Sequence, residues 1–289
     1  MPALELLAHL DVAAASGVVW HQGSLFVVAD DGLALLRVSL EGSSPSLLPL
    51  RPGAGGAALA KAAKPDFEAL LEVGGKLLAL GSGSGPARRR GVWLAVTGGP
   101  PAEVDFSPLY AALASRFEAL NVEGGVARGG EVLLAQRGNG PGREDALVRL
   151  DRAVFEAEVA AGEVTARALR GVTPVALGAL EGVPLSLTDL CVGPGGELLF
   201  TAAAEATDNP WDDGAVAGSV VGVLAADGRV EGASLLTAAG VKLEGVCAVE
   251  VAGRWELRLV ADPDDASARA PLYRCGWPKW SRTSAACRP

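Results

Sequence analysis

Four carboxylates recur at the start of short apolar hairpins, and they are the side chains in this sequence best suited to chemistry. They are Glu68, Glu123, Asp189 and Glu244. Carboxylates that converge raise one another's pKa, and their burial is costly unless a cation compensates for it. Calcium accepts about six to eight oxygen ligands in irregular geometry. The four residues therefore predict a Ca²⁺ site, with Mg²⁺ as the less favoured ion.

A cation held by carboxylates supports hydrolysis. It polarises a substrate oxygen or activates a water molecule, while a carboxylate with a raised pKa accepts the proton. From position alone, we assign all four carboxylates as metal ligands and Glu68, in addition, as the candidate general base. Two structural alternatives stay open, because the carboxylates could instead accept hydrogen bonds from backbone amides of a neighbouring sheet, or be neutralised by arginines. Either arrangement would hold the sheets together without a metal.

Two glycine-rich loops carry arginines close to these hairpins. The loop "GSGSGPARRRG" contains Arg88, and "QRGNGPGRED" contains Arg137 and Asn139. Backbone amides and guanidinium groups together hold phosphate or carboxylate groups. We therefore predict that Arg137, as a catalytic partner of Glu68, and Arg88 orient an anionic substrate. The alternative is that these arginines are solvated residues of surface turns.

An acidic loop, "AEATDNPWDDGAVAGS", follows the fourth hairpin. Its spacing does not match that of an EF-hand calcium loop, so it is either a solvated loop or a lid over the site. As a lid, it would contact the substrate together with the glycine-rich loops. The predicted substrate-binding residues are Arg88, Asn139, Glu205, Trp211 and Asp213.

The hairpins belong to an internal repeat of a polar start, an apolar strand, a glycine-rich turn and a second apolar strand. The five copies lie at 15–30, 67–82, 122–137, 188–203 and 243–262. In the first four copies, the residues that begin and end the hairpin are 14 positions apart, as Glu68 and Ser82 are. The fifth copy is four residues longer, and an even insertion preserves the face to which each side chain points.

The repeat predicts an all-β protein, a five-bladed β-propeller. A third strand-like segment follows each hairpin, and successive copies begin 52 to 66 residues apart. The last copy lacks a fourth strand, which the N-terminal segment "LELLAHLDV" can supply, so that the ring closes without a free edge. Six blades are the alternative, but an interval of 66 residues is too short for four further strands.

The whole chain, 1–289, is expected to form one propeller domain. The predicted blades lie near 11–50, 64–106, 121–170, 185–237 and 242–277, with the closing strand at 4–10. A helical insertion is predicted near 107–120, because Ser107 can act as N-cap, Pro108 suits the first turn, and apolar residues follow at helical spacing. Equivalent inner-strand positions of a propeller meet around its axis, so the four carboxylates would form a ring at one mouth of the central channel.

Composition excludes several classes of function. The net charge of −9 opposes binding to a polyanion, so we expect no nucleic-acid partner. The N-terminus lacks a basic leader, and no segment approaches the roughly 18 apolar residues of a membrane span, so we expect a soluble, cytoplasmic protein. Four cysteines without a C-x-x-C pair and two histidines argue against a thiolate zinc site and a Ser-His-Asp triad.

Short motifs around the carboxylates resemble a known group of proteins. The segments "PDFEAL", "NVEGG", "KLEGV", "VADPDD" and "DDGAVAGS" resemble bacterial propellers related to the esterase-like phytase and SdiA-regulated families. The resemblance includes Glu68, Glu123 and Glu244, and it implies a calcium-dependent hydrolase of a small anionic ester, either a phosphoester or a lactone. Fold can be shared where function is not. The alternative is a non-catalytic propeller that binds a small molecule or a protein, with a structural carboxylate ring.

Overall fold

Five antiparallel sheets form the protein, and they are arranged as the blades of a propeller. The structure is a computed structural model that describes residues 4–30, 32–51, 65–207, 214–235, 240–265 and 267–278. The prediction of an all-β, five-bladed propeller is confirmed, and the six-bladed alternative is excluded. Within the described ranges, no helix combines the length and apolar character needed to cross a bilayer.

The strands follow one another in the order of the repeats. Strand β1 is Leu4–His9. Blade 1 contains β2 (Ala15–His21), β3 (Ser24–Ala29), β4 (Ala34–Val38) and β5 (Ser46–Pro49). Blade 2 contains β6 (Phe67–Val73), β7 (Lys76–Gly81), β8 (Arg90–Leu94) and β9 (Ala102–Asp105). Blade 3 contains β10 (Val122–Arg128), β11 (Glu131–Gln136), β12 (Ala146–Asp151) and β13 (Leu169–Pro174).

The last two blades depart from this plan. Blade 4 has five strands, β14 (Ala179–Leu180), β15 (Val183–Val192), β16 (Leu198–Glu205), β17 (Val216–Leu224) and β18 (Val230–Leu235). Blade 5 contains β19 (Lys242–Val251), β20 (Arg254–Asp262) and β21 (Pro271–Gly276), and β1 is its fourth strand. Because β1 pairs antiparallel with β21, the N-terminal strand closes the ring, as predicted.

Apolar side chains fill every interface between neighbouring blades. Five hydrophobic clusters lie between blades 1 and 2, 2 and 3, 3 and 4, 4 and 5, and 5 and 1. Cys191 and Cys275 pack between blades 4 and 5, and Cys247 packs between blades 5 and 1. These three thiols are free and buried, as expected of cysteines that serve as small apolar residues.

The inner strand of each blade has a β-bulge at the same place. In β2, β6, β10, β15 and β19 the pairing with the next strand skips one residue. A bulge frees one residue from the ladder and redirects its side chain. The five bulge residues are Ser16, Glu68, Glu123, Thr188 and Glu244.

The prediction that Asp189 occupies the same position as the three glutamates is wrong by one residue. Asp189 pairs with Thr201, and the bulge residue of β15 is Thr188. The cause is the hairpin turn of blade 4, where Gly193 donates its N–H to the carbonyl of Glu197 across five residues. The turns of the first three blades contain two residues, so their hairpins are one residue shorter between equivalent positions.

The residue after the bulge faces the adjacent inner strand at the narrow axis. A Cβ atom at Gly124 would lie 2.6 Å from the Cα of Asp189, and one at Gly245 would lie 2.9 Å from the backbone nitrogen of Val18. Both distances are too short for any side chain. The Glu-Gly pairs of the sequence therefore combine a bulge residue at the mouth with a glycine that lets the next blade approach.

Two helices lie outside the blades. Helix α1 (Ser107–Ala114) contains the predicted proline in its first turn, but it begins one residue early, with Phe106 at the N-cap position. It also ends before 120, and Tyr110 packs between blades 2 and 3. Helix α2 (Arg152–Ala161) was not predicted. Its start signal is Asp151, whose side chain accepts a hydrogen bond from the N–H of Val154 at 3.0 Å.

Candidate functional site

The bulge residues bring three glutamates to one mouth of the central channel. Glu68, Glu123 and Glu244 come from blades 2, 3 and 5. Burial raises the pKa of Glu68, and the nearby charges of Glu123 and Glu244 raise it further. The convergence inferred from the repeat is therefore present for these three residues. The mouth divides into two groups of side chains with different partners.

The first group, the arginine cluster, consists of Arg137 with Glu123, Glu205 and Glu244. The Nη2 atom of Arg137 lies 2.6 Å from Glu205 Oε2, and its Nη1 atom lies 3.4 Å from Glu123 Oε2 and 3.6 Å from Glu244 Oε1. All four residues are buried. One guanidinium thus joins carboxylates from blades 3, 4 and 5, which corresponds to the alternative in which arginines neutralise the ring.

Neighbouring side chains hold the arginine cluster in place. Asn121 donates its amide N–H to Glu123 Oε1 at 2.6 Å and to Asn139 Oδ1 at 3.3 Å. Lys242 Nζ lies 3.6 Å from Glu244 Oε1. Burial nevertheless raises the pKa of Glu123 and Glu244, although Arg137 and Lys242 act in the opposite direction.

The second group, the aspartate cluster, consists of Asp30, Asp66 and Glu68. One carboxylate oxygen of each lies within 4.8 Å of the others. Asp66 accepts a hydrogen bond from Ser82 Oγ at 2.6 Å and pairs with Arg88 at 2.8 Å. Three carboxylates that face one another provide the oxygen donors that a hard divalent cation prefers. The aspartate cluster is therefore the part of the mouth that fits a hard divalent cation.

Glu68 differs from every other acidic residue of the mouth. It is partly exposed, and it has no hydrogen-bond or ion-pair partner among the residues that the structure describes. Burial raises the pKa of Glu68 well above its ordinary value, and the charges of Glu123, Asp66, Asp30 and Glu244 raise it further. A partly exposed carboxyl with a raised pKa is suited to exchange a proton with a substrate or a water molecule.

Asp189 is the residue after the bulge residue in its strand, so it lies further along the axis than the bulge glutamates. It belongs to neither cluster. Its Oδ1 atom accepts the N–H of Leu190 at 2.7 Å and its Oδ2 atom accepts the N–H of Val246 at 2.9 Å. Burial raises its pKa well above the ordinary value, and backbone hydrogen bonds from Val246, Leu190 and Gly125 oppose this. Asp189 thus corresponds to the structural alternative, in which a carboxylate joins neighbouring blades.

A small pocket of about 120 Å³ lies on the other side of Asp189. It is formed by the later residues of all five inner strands, including Trp20, Leu71, Val126 and Cys191. Its lining is mostly apolar. The acidic mouth and this pocket are therefore separate ends of the axis.

The predicted substrate-binding residues have different positions. Arg88, Asn139 and Glu205 are buried at the mouth, where each contacts another side chain of the site. Trp211 and Asp213 lie outside the described residues. The arginines predicted to orient an anion are thus paired with carboxylates of the protein itself.

Three residues of the mouth, Asp30, Asp66 and Lys242, were not predicted from the sequence, and two positional signals point to them. Asp66, Asn121 and Lys242 each stand two residues before a bulge glutamate. Asp30 ends the first hairpin at the position that Arg137 occupies in the third. Reading the residue two positions before each bulge residue, and the residue that ends each hairpin, would have identified them.

Two buried carboxyls predict that stability falls as the pH rises. Burial raises the pKa of Asp145, which accepts the N–H groups of Gly138 and Leu187, to about 7, and it raises the pKa of Glu244 to about 8. The folded protein keeps protons that the unfolded chain releases near pH 4, so stability decreases between about pH 4 and pH 8. We expect the melting temperature to be on the order of 5 °C higher at pH 6 than at pH 8.5.

The Glu244→Gln variant tests the cause of this pH dependence. It cannot ionise, so the difference in melting temperature between the two pH values should shrink. Buffers of equal ionic strength exclude salt effects on exposed charges. A melting temperature that rises between pH 6 and pH 8.5 would contradict the prediction.

The fold and the site define a five-bladed β-propeller with an acidic axial mouth. Residues 11–276 match a family of unknown function, DUF6929, and the chain belongs to this family. The β-propeller relation that the short motifs suggested is confirmed, but the family is DUF6929 and not the esterase-like phytase or SdiA-regulated families. No curated protein matches the chain in sequence.

Solved structures with a similar fold include several enzymes. A bifunctional GH43-CE protein of Bacteroides eggerthii is 12% identical with a TM-score of 0.58, over 100% of this chain and 36% of that one. XC5397 of Xanthomonas campestris, a gluconolactonase, is 13% identical with a TM-score of 0.48, over 96% and 90% of the two chains. A luciferin-regenerating enzyme is 9% identical with a TM-score of 0.48, over 99% of both. The similarity to the Bacteroides eggerthii protein supports the fold and not a function. We draw no conclusion from the two structures with a TM-score of 0.48.

Proposed function

We propose that this protein is a metal-dependent hydrolase of a small ester, a phosphoester or a lactone, and that it uses Ca²⁺ at the aspartate cluster. The observation that supports the proposal is the approach of Asp30, Asp66 and Glu68 to within 4.8 Å of one another. Glu68 meets the second requirement, because it is partly exposed and has no hydrogen-bond or ion-pair partner among the described residues. Together they combine a cation site with a proton acceptor.

The residues of the aspartate cluster have different roles in the proposed reaction. Asp30, Asp66 and one oxygen of Glu68 would hold the cation, which supplies charge to polarise the oxygen of the scissile bond when it is bound. The second oxygen of Glu68 would accept the proton of the attacking water. The hydrogen bond from Ser82 and the ion pair with Arg88 orient Asp66.

The charge of the mouth restricts the substrate. Arg137 and Arg88 are already paired with carboxylates of the protein, so neither is free to neutralise an anion alone. An anionic ester would be repelled by the surrounding glutamates unless the cation compensates. We therefore propose that binding of an anionic substrate depends on the metal, whereas a neutral lactone needs the metal mainly for the chemical step.

Calcium is expected to stabilise the wild-type protein. A ligand that binds only the folded state raises stability with its concentration, so millimolar Ca²⁺ should raise the melting temperature by on the order of 5 °C over the chelator-treated protein. The Asp30→Asn variant should lose this shift, and the matched variant Asp227→Asn, on an exposed turn, should keep it. The same samples are then assayed for turnover on phosphoesters and lactones. An unchanged melting temperature, with no turnover, would reject the proposal.

A second candidate function is a non-catalytic binding propeller. The observation that favours it is the pairing of Glu123, Glu205 and Glu244 with Arg137 and Lys242, which is what a structural ring requires. The two candidates differ in one outcome. Calcium-dependent stability without turnover on any ester of the panel would favour the binding propeller.

A further inference from the structure

Arg137 is the centre of a cluster built from three blades. Its two terminal nitrogens lie 2.6 to 3.6 Å from Glu123, Glu205 and Glu244. Although burial acts to lower it, the pKa of Arg137 is raised by these three carboxylates. Arg137 therefore carries a permanent positive charge at a buried place where three oxygen-donor side chains meet.

We propose that Arg137 is a fixed internal cation that takes the place of a second metal ion among Glu123, Glu205 and Glu244. In this role it positions the glutamates and does not bind the substrate. The inference deepens the proposed function, and its catalytic consequence rests on that function. The replacement of a metal by the guanidinium does not depend on turnover.

The chemistry of the cluster supports this role. Its donors are carboxylate oxygens, which are the ligands of hard cations and leave no place for a soft metal. The Nη2 atom of Arg137 donates a hydrogen bond to Glu205, and its Nη1 atom lies within ion-pair distance of Glu123 and Glu244. The remaining nitrogen, Nε, is buried and makes no hydrogen bond with the described residues.

Glu244 provides an independent observation. Its Oε2 atom is buried and accepts no hydrogen bond within the described part of the chain, and the residue is 4% exposed. The cluster thus offers an acceptor that the guanidinium does not fill. A calcium ion, with about six to eight oxygen ligands, would use it.

The Arg137→Met variant tests the inference. Without calcium, its melting temperature should fall well below that of the wild type, because buried carboxylates lose their cation. Calcium should then raise the melting temperature by on the order of 5 °C more than it does for the wild type. Equilibrium dialysis should find one more bound calcium ion per chain. Sodium chloride of equal ionic strength should reproduce neither effect.

Arg137→Lys is the matched control. An ammonium group keeps the charge in place, so this variant should gain no calcium ion. If Arg137→Met does not fold without calcium, its refolding from urea is measured with and without the ion, and folding only with calcium supports the inference. A variant that stays unfolded in calcium, or that responds as the wild type does, overturns it.

The two proposals fail separately. If the wild type binds no calcium while Arg137→Met does, the metal site proposed at the aspartate cluster is wrong and the role of Arg137 stands. If the wild type binds calcium at the aspartate cluster while Arg137→Met gains no ion, the proposed function stands and the role of Arg137 is wrong.

Discussion

Replacement of Asp189 by alanine is expected to destabilise the protein by about 3 to 5 kcal/mol, because it leaves several buried N–H groups without an acceptor at about 1 to 3 kcal/mol each. The carboxylate accepts hydrogen bonds from Leu190 in its own blade and from Val246 in blade 5. It also fills space at the axis that Gly124 leaves open. Its loss therefore weakens the contact between three blades at once. Urea unfolding at neutral pH measures the change.

Two further variants separate this effect from general core disruption. Asp189→Asn keeps one acceptor oxygen but turns an N–H₂ group toward a backbone donor, so it should cost roughly half as much as alanine. Thr201→Val, opposite Asp189 in β16, removes a buried hydroxyl that makes no hydrogen bond with the described residues. This change should be neutral or slightly stabilising. An Asp189→Ala variant as stable as Thr201→Val would show that the carboxylate does not join the blades.

Replacement of Glu68 by glutamine is expected to reduce turnover by a factor of about 100 to 10,000, the range associated with the loss of a general base. Glutamine has nearly the same shape but cannot accept the proton of the attacking water. In chelator-treated protein, the variant should be at least as stable as the wild type above pH 7, since an acidic group surrounded by like charges has been removed. Lower activity with unchanged or higher stability is typical of a functional residue.

Glu72→Gln is the matched control for this prediction. Glu72 belongs to the same strand as Glu68, but its side chain is 50% exposed, and it lines the apolar pocket at the opposite end of the axis. Its replacement should leave turnover and calcium-dependent stability unchanged. If Glu68→Gln retains full turnover, Glu68 is not the proton acceptor. If Glu72→Gln loses as much turnover as Glu68→Gln, the reaction does not take place at the mouth.

The sequence determined the architecture and one layer of the site. Hairpins with the same polar start repeat at similar intervals, and this regularity predicted the five blades and the closing strand β1. It also predicted that Glu68, Glu123 and Glu244 occupy equivalent positions. These features depend on local pattern, because the alternation of a strand and the position of a bulge are set by a few neighbouring residues.

Only the tertiary structure decided the partners of these residues. Arg137 pairs with Glu205 and Glu244 across blade boundaries, and Asp30 approaches Glu68 from the preceding blade. Asp189 lies below the mouth because the turn of its hairpin is longer, a difference that the 14-residue spacing concealed. The physical reason is that a ring of blades brings together residues far apart in the chain. The distances between these side chains depend on loop length and on how closely the inner strands pack. Neither can be read from a local sequence pattern.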